Sequence, residues 1–281
     1  MPKDTLWIER AWSRTGAEAG WIESQWTQVG DFRMHARVSV SPARYEAPSV
    51  VLVHGIGITS RYWVPTSVLL APWFRNYAPD FPGFGLSDKP RGHLRVPQLA
   101  DWLAAWMRAR HLANVALVGN SFGCQTVAEC AVRYPELVSC TVHIGPTTDP
   151  KGQDAREQVR RWQRNNPGEP FTHKIVSYRD YWDCGIPRVL RAFAASLEDH
   201  IDRKLPHIKV PSLVVRGSND PIVPQRWAEE ATRLLPKGQL AVIPGAFHTV
   251  NFSSPLELIR VMVPFLSQVG RGLPSRQERA A

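Results

Sequence analysis

Apolar residues along this chain fall in short unbroken runs, each ending at turn-forming residues. Val50–Val53 leads into His54-Gly55, Val115–Val118 into Gly119-Asn120, and Val138–Ile144 into Gly145-Pro146. Ser212–Val215 ends at Arg216-Gly217, and Leu240–Ile243 at Pro244-Gly245. Runs without polar alternation suit strands covered on both faces, the condition of a parallel sheet under helices. Near-amphipathic stretches fill the gaps at about 97–110, 122–133, 224–235 and 255–268, and are predicted helices. Pro224 opens one of them, and Ser254, Pro255 and Glu257 supply an N-cap, N1 and N3 set for the last. Strand alternating with helix predicts a doubly wound α/β domain.

Two segments depart from this pattern. Residues 24–40 alternate on either side of Gly30-Asp31, which predicts an antiparallel hairpin at the start of the sheet. From 147 to 206 no strand-like run occurs, and charged helical stretches are broken by Pro167-Gly168, Pro170, Gly185 and Pro187. The expected organisation is a core of 24–146 and 207–270, a helical cap of 147–206 inserted in it, and loosely held termini at 1–23 and 271–281.

Composition narrows the class. With 281 residues and 43% hydrophobic content the chain can bury a full core, and its length suits one sheet domain carrying an insertion. It contains no run of about 18 apolar residues. Met1-Pro2-Lys3-Asp4 opens a segment without the apolar stretch of a secretory signal, so a cytoplasmic protein with no membrane partner is expected. Cys124, Cys130, Cys140 and Cys184 show no metal-ligand spacing and read as reduced thiols. The net charge of +9 is spread along the chain, with arginines gathered only at 156–164 and in the C-terminal tail. No nucleic-acid motif accompanies it, so the reading is a solvated basic surface and no nucleic-acid partner. Oligomeric state is not legible in the sequence.

The chemistry centres on Gly119-Asn120-Ser121-Phe122-Gly123. An apolar run precedes this G-x-S-x-G sequence and a helix rich in small residues follows. That is the setting of a nucleophile elbow, where glycines permit a turn too tight for side chains. Ser121 is thus exposed above the sheet at a helix start, where backbone N–H groups meet developing negative charge.

Four further motifs stand in order around the elbow: Val51-Leu52-Val53-His54-Gly55-Ile56-Gly57, Asp80-Phe81-Pro82-Gly83-Phe84-Gly85-Leu86-Ser87, Arg216-Gly217-Ser218-Asn219-Asp220-Pro221, and Pro244-Gly245-Ala246-Phe247-His248. Over roughly residues 24–268 the chain resembles the α/β-hydrolase fold superfamily, and within it the capped esterases and the carbon–carbon bond hydrolases of aromatic degradation. The resemblance implies an α/β-hydrolase fold with a mostly parallel sheet.

A serine hydroxyl needs a positioned base. Among nine histidines, His248 alone lies in a Gly-x-x-His loop after a late strand, where the superfamily's histidine stands. His54 reads as a loop brace and His143 as a core residue. Asp220, after the run 212–215, takes the place of the acid that orients the histidine, and Asp149 is the alternative one strand earlier. The resemblance also assigns the oxyanion donors to the backbone N–H groups of Ile56 and Phe122, with Gly55 and Gly57 allowing a close approach to substrate. Trp63, Tyr181 and Trp182 are the candidate substrate contacts. The spacing of the aromatic residues within 147–206 fits a pocket wall and a helix-packing face equally.

Serine at the elbow argues against the dehalogenase and epoxide-hydrolase branches, which use a carboxylate there. No phosphate loop or dinucleotide fingerprint occurs, and no organic cofactor or metal is called for. The expected activity is hydrolysis of an apolar or aromatic small-molecule ester through an acyl-enzyme. Carbon–carbon bond hydrolysis is the alternative, although Thr249-Val250-Asn251-Phe252 stands where those hydrolases carry a tryptophan. A hydrolase-like ligand-binding protein is the third reading.

Overall fold

The computed structural model describes residues 22–40, 48–92 and 94–271. The termini expected to be loosely held lie outside these residues, except that the first strand begins at Ile22 and the last helix runs to Arg271. Eight strands form one sheet: β1 (Ile22–Val29), β2 (Phe32–Ser39), β3 (Val50–Val53), β4 (Asn76–Pro79), β5 (Val115–Asn120), β6 (Val138–Ile144), β7 (Ser212–Gly217) and β8 (Gly238–Ile243). Their spatial order is β1-β2-β4-β3-β5-β6-β7-β8. The expected hairpin is present: Val29 pairs Phe32 across a turn whose Gly30 takes φ 55°, a value favourable to glycine. β2 is antiparallel to both β1 and β4, and from β4 onward every neighbour is parallel.

Among the described residues, eight helices of seven residues or more accompany the sheet: α1 (Val64–Leu70), α2 (Val96–Ala109), α3 (Phe122–Arg133), α4 (Ala155–Asn165), α5 (Phe171–Cys184), α6 (Ile186–Glu198), α7 (Gln225–Leu234) and α8 (Pro255–Arg271). The unbroken apolar runs of β3, β5, β6 and β7 follow from burial on both faces, whereas β8, expected to be covered likewise, is an edge strand with only Ile243 buried. Val51, Val53 and Leu117 point into a core with α2, α3 and α7, while Val50, Leu52 and Val118 point into one with α1 and α8. The four cysteines are free and buried, and burial pushes Cys130 and Cys140 up to about 12. Between β6 and β7 the described chain is helical, with α4, α5 and α6 lying there. Among the described residues no helix is long and apolar enough to cross a membrane.

Two elements escaped the sequence reading. The run Asn-Tyr-Ala-Pro of β4 is too short and too polar to register as a strand, yet all four of its residues are buried. Helix α1 is only seven residues long and carries proline in its first turn.

Candidate active site

The parallel strands β3, β5, β7 and β8 bring their carboxyl ends to one rim of the sheet, where α/β folds build their sites. Ser121 joins β5 to α3 with φ 56° and ψ −124°, a conformation few non-glycine residues adopt. The flanking glycines show why the turn is possible. A Cβ on Gly119 would stand 2.6 Å from the carbonyl carbon of Gly123, and one on Gly123 would collide with the carbonyl oxygen of Val53. Ser121 N–H donates to the carbonyl of Ile144 at 2.9 Å. Asn120 Nδ2 reaches the carbonyls of Ile144 at 3.1 Å and His248 at 3.3 Å, tying the turn to the histidine loop.

His248 hydrogen-bonds through Nδ1 to Asp220 Oδ2 at 2.8 Å. The other carboxylate oxygen of Asp220 accepts N–H bonds from Ile222 at 2.8 Å and Val223 at 3.1 Å, which holds its orientation. Gly145, with φ 54°, leaves room for the imidazole, because a Cβ there would sit 3.0 Å from its Cε1. His248 Nε2 is buried without a partner among the described residues, and Ser121 and His248 line one cavity. Burial opposes the imidazolium most strongly, but the charge and hydrogen bond of Asp220 and the charge of Glu169 together outweigh it, raising the pKa of His248.

Asp149 is occupied elsewhere. Its Oδ1 accepts from Arg226 Nη1 at 3.0 Å, and its Oδ2 from Arg161 Nη1 at 3.0 Å and from Arg226 Nη2. His54 braces its loop, with Nδ1 near Gly55 O at 2.9 Å and Nε2 accepting from Phe81 N–H at 3.1 Å. His143 is fully buried, with Nε2 near Thr141 Oγ1 at 3.0 Å, and burial pushes its pKa down to about 4. The Asp80 motif is likewise structural. Its carboxylate receives Ser60 N–H at 2.6 Å and pairs with His35 Nδ1 at 2.8 Å, and Gly85 is glycine because a Cβ would collide with that carboxylate.

The sequence reading missed the residues by which the helical segment between β6 and β7 grips the site. Asn165 Oδ1 accepts the N–H of His248 at 3.1 Å. Glu169 Oε1 accepts the N–H of Thr249 at 2.9 Å and an N–H of the Asn165 amide at 2.9 Å, while its Oε2 takes the Thr249 hydroxyl. On the opposite side, Asp180 of α5 accepts the N–H of Thr59 at 2.9 Å and its hydroxyl at 2.7 Å, and pairs with Arg61. Two buried carboxylates from between β6 and β7 therefore hold the loops that follow β8 and β3.

The cavity above Ser121 has a volume of about 390 Å³. Ile56, Ile58, Trp162, Tyr181, Phe193 and Ile222 make much of its apolar wall, and Gln158, Asn165, Glu169, His173, Lys174 and Ser177 are polar positions within it. Of the candidate substrate contacts only Tyr181 lines it. Trp63 is fully buried in the core between β3 and α1, because the turn after β3 directs its indole inward. Trp182, the next residue after Tyr181 on α5, faces away from the cavity and is 82% exposed. The ring of Phe122 is also buried in the core. Its N–H lies in the first turn of α3, where the leading N–H groups have no intrahelical partner, and Ile56 lines the cavity opposite. Gly57, at φ 69°, admits the Tyr181 ring, since a Cβ there would meet it at 2.7 Å. Its smallness thus serves the packing of α5 against the loop after β3.

The chain is similar to proteins of known activity. It is 27% identical to 2-(acetamidomethylene)succinate hydrolase of Mesorhizobium japonicum, over 78% of this chain and 88% of that one. It is 26% identical to 2-hydroxy-6-oxo-2,4-heptadienoate hydrolase of Pseudomonas putida, again over 78% and 88%. Its fold matches a thermophilic esterase from Thermogutta terrifontis with a TM-score of 0.69 at 22% identity, over 89% of this chain and 99% of that one. The profile of the Alpha/beta hydrolase family matches residues 50–261. With that span and this sheet, the chain belongs to the alpha/beta hydrolase family.

Proposed function

We propose that this hydrolase is a serine hydrolase that cleaves carboxylic esters of uncharged apolar or aromatic acids through an acyl-enzyme. The observation that carries the reading is the pairing of a positive-φ serine with a buried histidine whose Nε2 has no partner among the described residues, in one largely apolar cavity. Ser121 Oγ attacks the acyl carbon while His248 Nε2 takes its proton, and Asp220 keeps the imidazole in the required tautomer. The N–H groups of Ile56 and Phe122 receive the oxyanion, a role in which one donor is worth about 2.7–4 kcal/mol in related chemistry. Collapse breaks the bond to the alcohol, which leaves with the proton from His248. Water then attacks the acyl-enzyme by the same route and releases the acid and Ser121. Residues 147–206 act as a cap that roofs the site.

The charge of the wall supports an uncharged acyl group. Among the described residues, Lys174 and Glu169 are its one basic and one acidic side chain apart from histidines, and no arginine lines it. Arg161 is committed to Asp149 and Glu157, and Arg188 to the carbonyls of Gly83 at 2.9 Å and Pro90 at 3.0 Å. Carbon–carbon bond hydrolysis is the second reading, favoured by the similarity to the heptadienoate hydrolase. The same three residues would serve it. Arg179, Arg188 and Arg191 all lie off the cavity wall, which supports the ester as the first reading.

A series of p-nitrophenyl esters tests the substrate class. The butyrate, hexanoate and benzoate are expected to exceed the hemisuccinate in kcat/KM by at least about tenfold, the factor that about 1.4 kcal/mol of transition-state stabilisation represents. Preference for the hemisuccinate would contradict it.

A further inference from the structure

The helices between β6 and β7 carry an apolar face that the fold leaves uncovered. On α5, Phe171, Ile175, Tyr178 and Trp182 recur at i, i+4, i+7 and i+11, and all four are exposed, Phe171 by 76%. The opposite side of the same helix, with Val176, Ser177, Asp180 and Cys184, is buried against the rest of the molecule. Ile186 and Leu190 of α6 and Trp162 of α4 extend the exposed face. An exposed tract of this kind on a folded protein marks an interaction surface.

Two further observations identify its partner. Trp162, Tyr178 and Leu190 are exposed and also line the cavity above Ser121, so the face is continuous with the mouth of the site. The charges around it are largely of one sign. Arg179 and Arg191 are exposed and Lys174 half-buried, while Glu169 and Asp180 are buried and turned inward. Asp183 is the one acidic side chain of α5 with appreciable exposure, and it sits against Arg61 and Arg179. A second copy docked on this face would bring two positive rims together, in a chain already at net charge +9. An anionic lipid surface satisfies both features, taking the aromatic stripe into its headgroup boundary and the basic rim onto its charge.

We infer that the face formed by Phe171, Ile175, Tyr178 and Trp182 docks the protein on anionic lipid–water interfaces, with the cavity mouth turned toward the lipid. The expectation of no membrane partner came from the lack of a spanning segment, and peripheral docking needs none. This inference goes beyond the proposed reaction and stands without it.

The test is vesicle co-sedimentation of the full chain carrying Ser121→Ala, so that hydrolysis plays no part. The vesicles are phosphatidylglycerol or phosphatidylcholine at low and high salt. The expected result is binding to phosphatidylglycerol vesicles, weaker at high salt, at least tenfold weaker to phosphatidylcholine, and at least tenfold weaker for Phe171→Ser/Trp182→Ser. Both replaced residues are exposed and lie off the cavity wall, so circular dichroism and turnover of a soluble ester in the Ser121 background should be unchanged. No binding to phosphatidylglycerol, or equal binding by the double variant, would overturn the inference. So would a dimer in sedimentation velocity that the double variant abolishes, without vesicle binding. Loss of ester turnover in the wild type with vesicle binding intact would refute the proposed reaction and leave this surface standing.

Discussion

The imidazole of His248 is set between opposing effects. Burial lowers its pKa, while Asp220 at Nδ1 and Glu169, acting through space from between β6 and β7, raise it. Under the proposed mechanism the neutral imidazole is the base, so kcat/KM falls as pH drops through its raised pKa. Glu169→Gln removes one of the charges that raise it. The acid limb of the pH profile should therefore move to lower pH. An unmoved limb with a uniform loss of rate would mean that Glu169 only fastens the loop. Ser121, His248 and Asp220 were legible in the sequence because each sits in a short motif at the end of a strand. Glu169 was not, since its bond to Thr249 spans 80 residues of chain and leaves no local pattern. The same limit misplaced Trp63 and Trp182, for neighbourhood in sequence does not say which way an indole points.

At the scale of elements, the site depends on how closely α3 approaches β3. Gly123 is the contact point, and a methyl group there would meet the Val53 carbonyl at well under 3.0 Å. Backbone cannot yield as a flexible side chain can. Gly123→Ala is expected to lower stability by about 1–3 kcal/mol in urea unfolding and to slow ester turnover, because α3 carries both the elbow and the Phe122 N–H. Unchanged stability and turnover would show that the helix can shift freely. The strands β3, β5, β6 and β7 were readable because double-faced burial gives unbroken apolar runs, and the helices α2, α3, α7 and α8 from their own periodicity; β8 was readable too, although it is an edge strand with only Ile243 buried. Edge cases such as β4 and α1 were not. Their burial comes from neighbours distant in sequence, not from their own pattern.

For the whole molecule, the buried histidines link stability to acidity. His143 is fully enclosed and its pKa is pushed down to about 4 by burial, whereas in the unfolded chain it binds a proton near 6.5. A histidine depressed on folding costs stability as pH falls, because the unfolded state takes up the proton first. The loss begins near 6.5, grows down to about 4, and amounts to up to about 3 kcal/mol for this group. His54, also lowered by burial, adds to the same slope. The urea midpoint should fall between pH 7 and 4.5, and His143→Gln should flatten that fall. A midpoint independent of pH across this window would contradict the burial of these rings.

The most direct test is intact-mass analysis after treatment with a fluorophosphonate, which phosphonylates an activated serine. One adduct is expected on the wild type and none on Ser121→Ala. Asp220→Asn should slow labelling far more than Asp149→Asn, on the scale of the roughly 10⁴-fold that loss of the orienting carboxylate costs in the serine-protease template. An adduct that persists in Ser121→Ala, or no adduct on a folded wild type, would contradict the assignment of Ser121, His248 and Asp220.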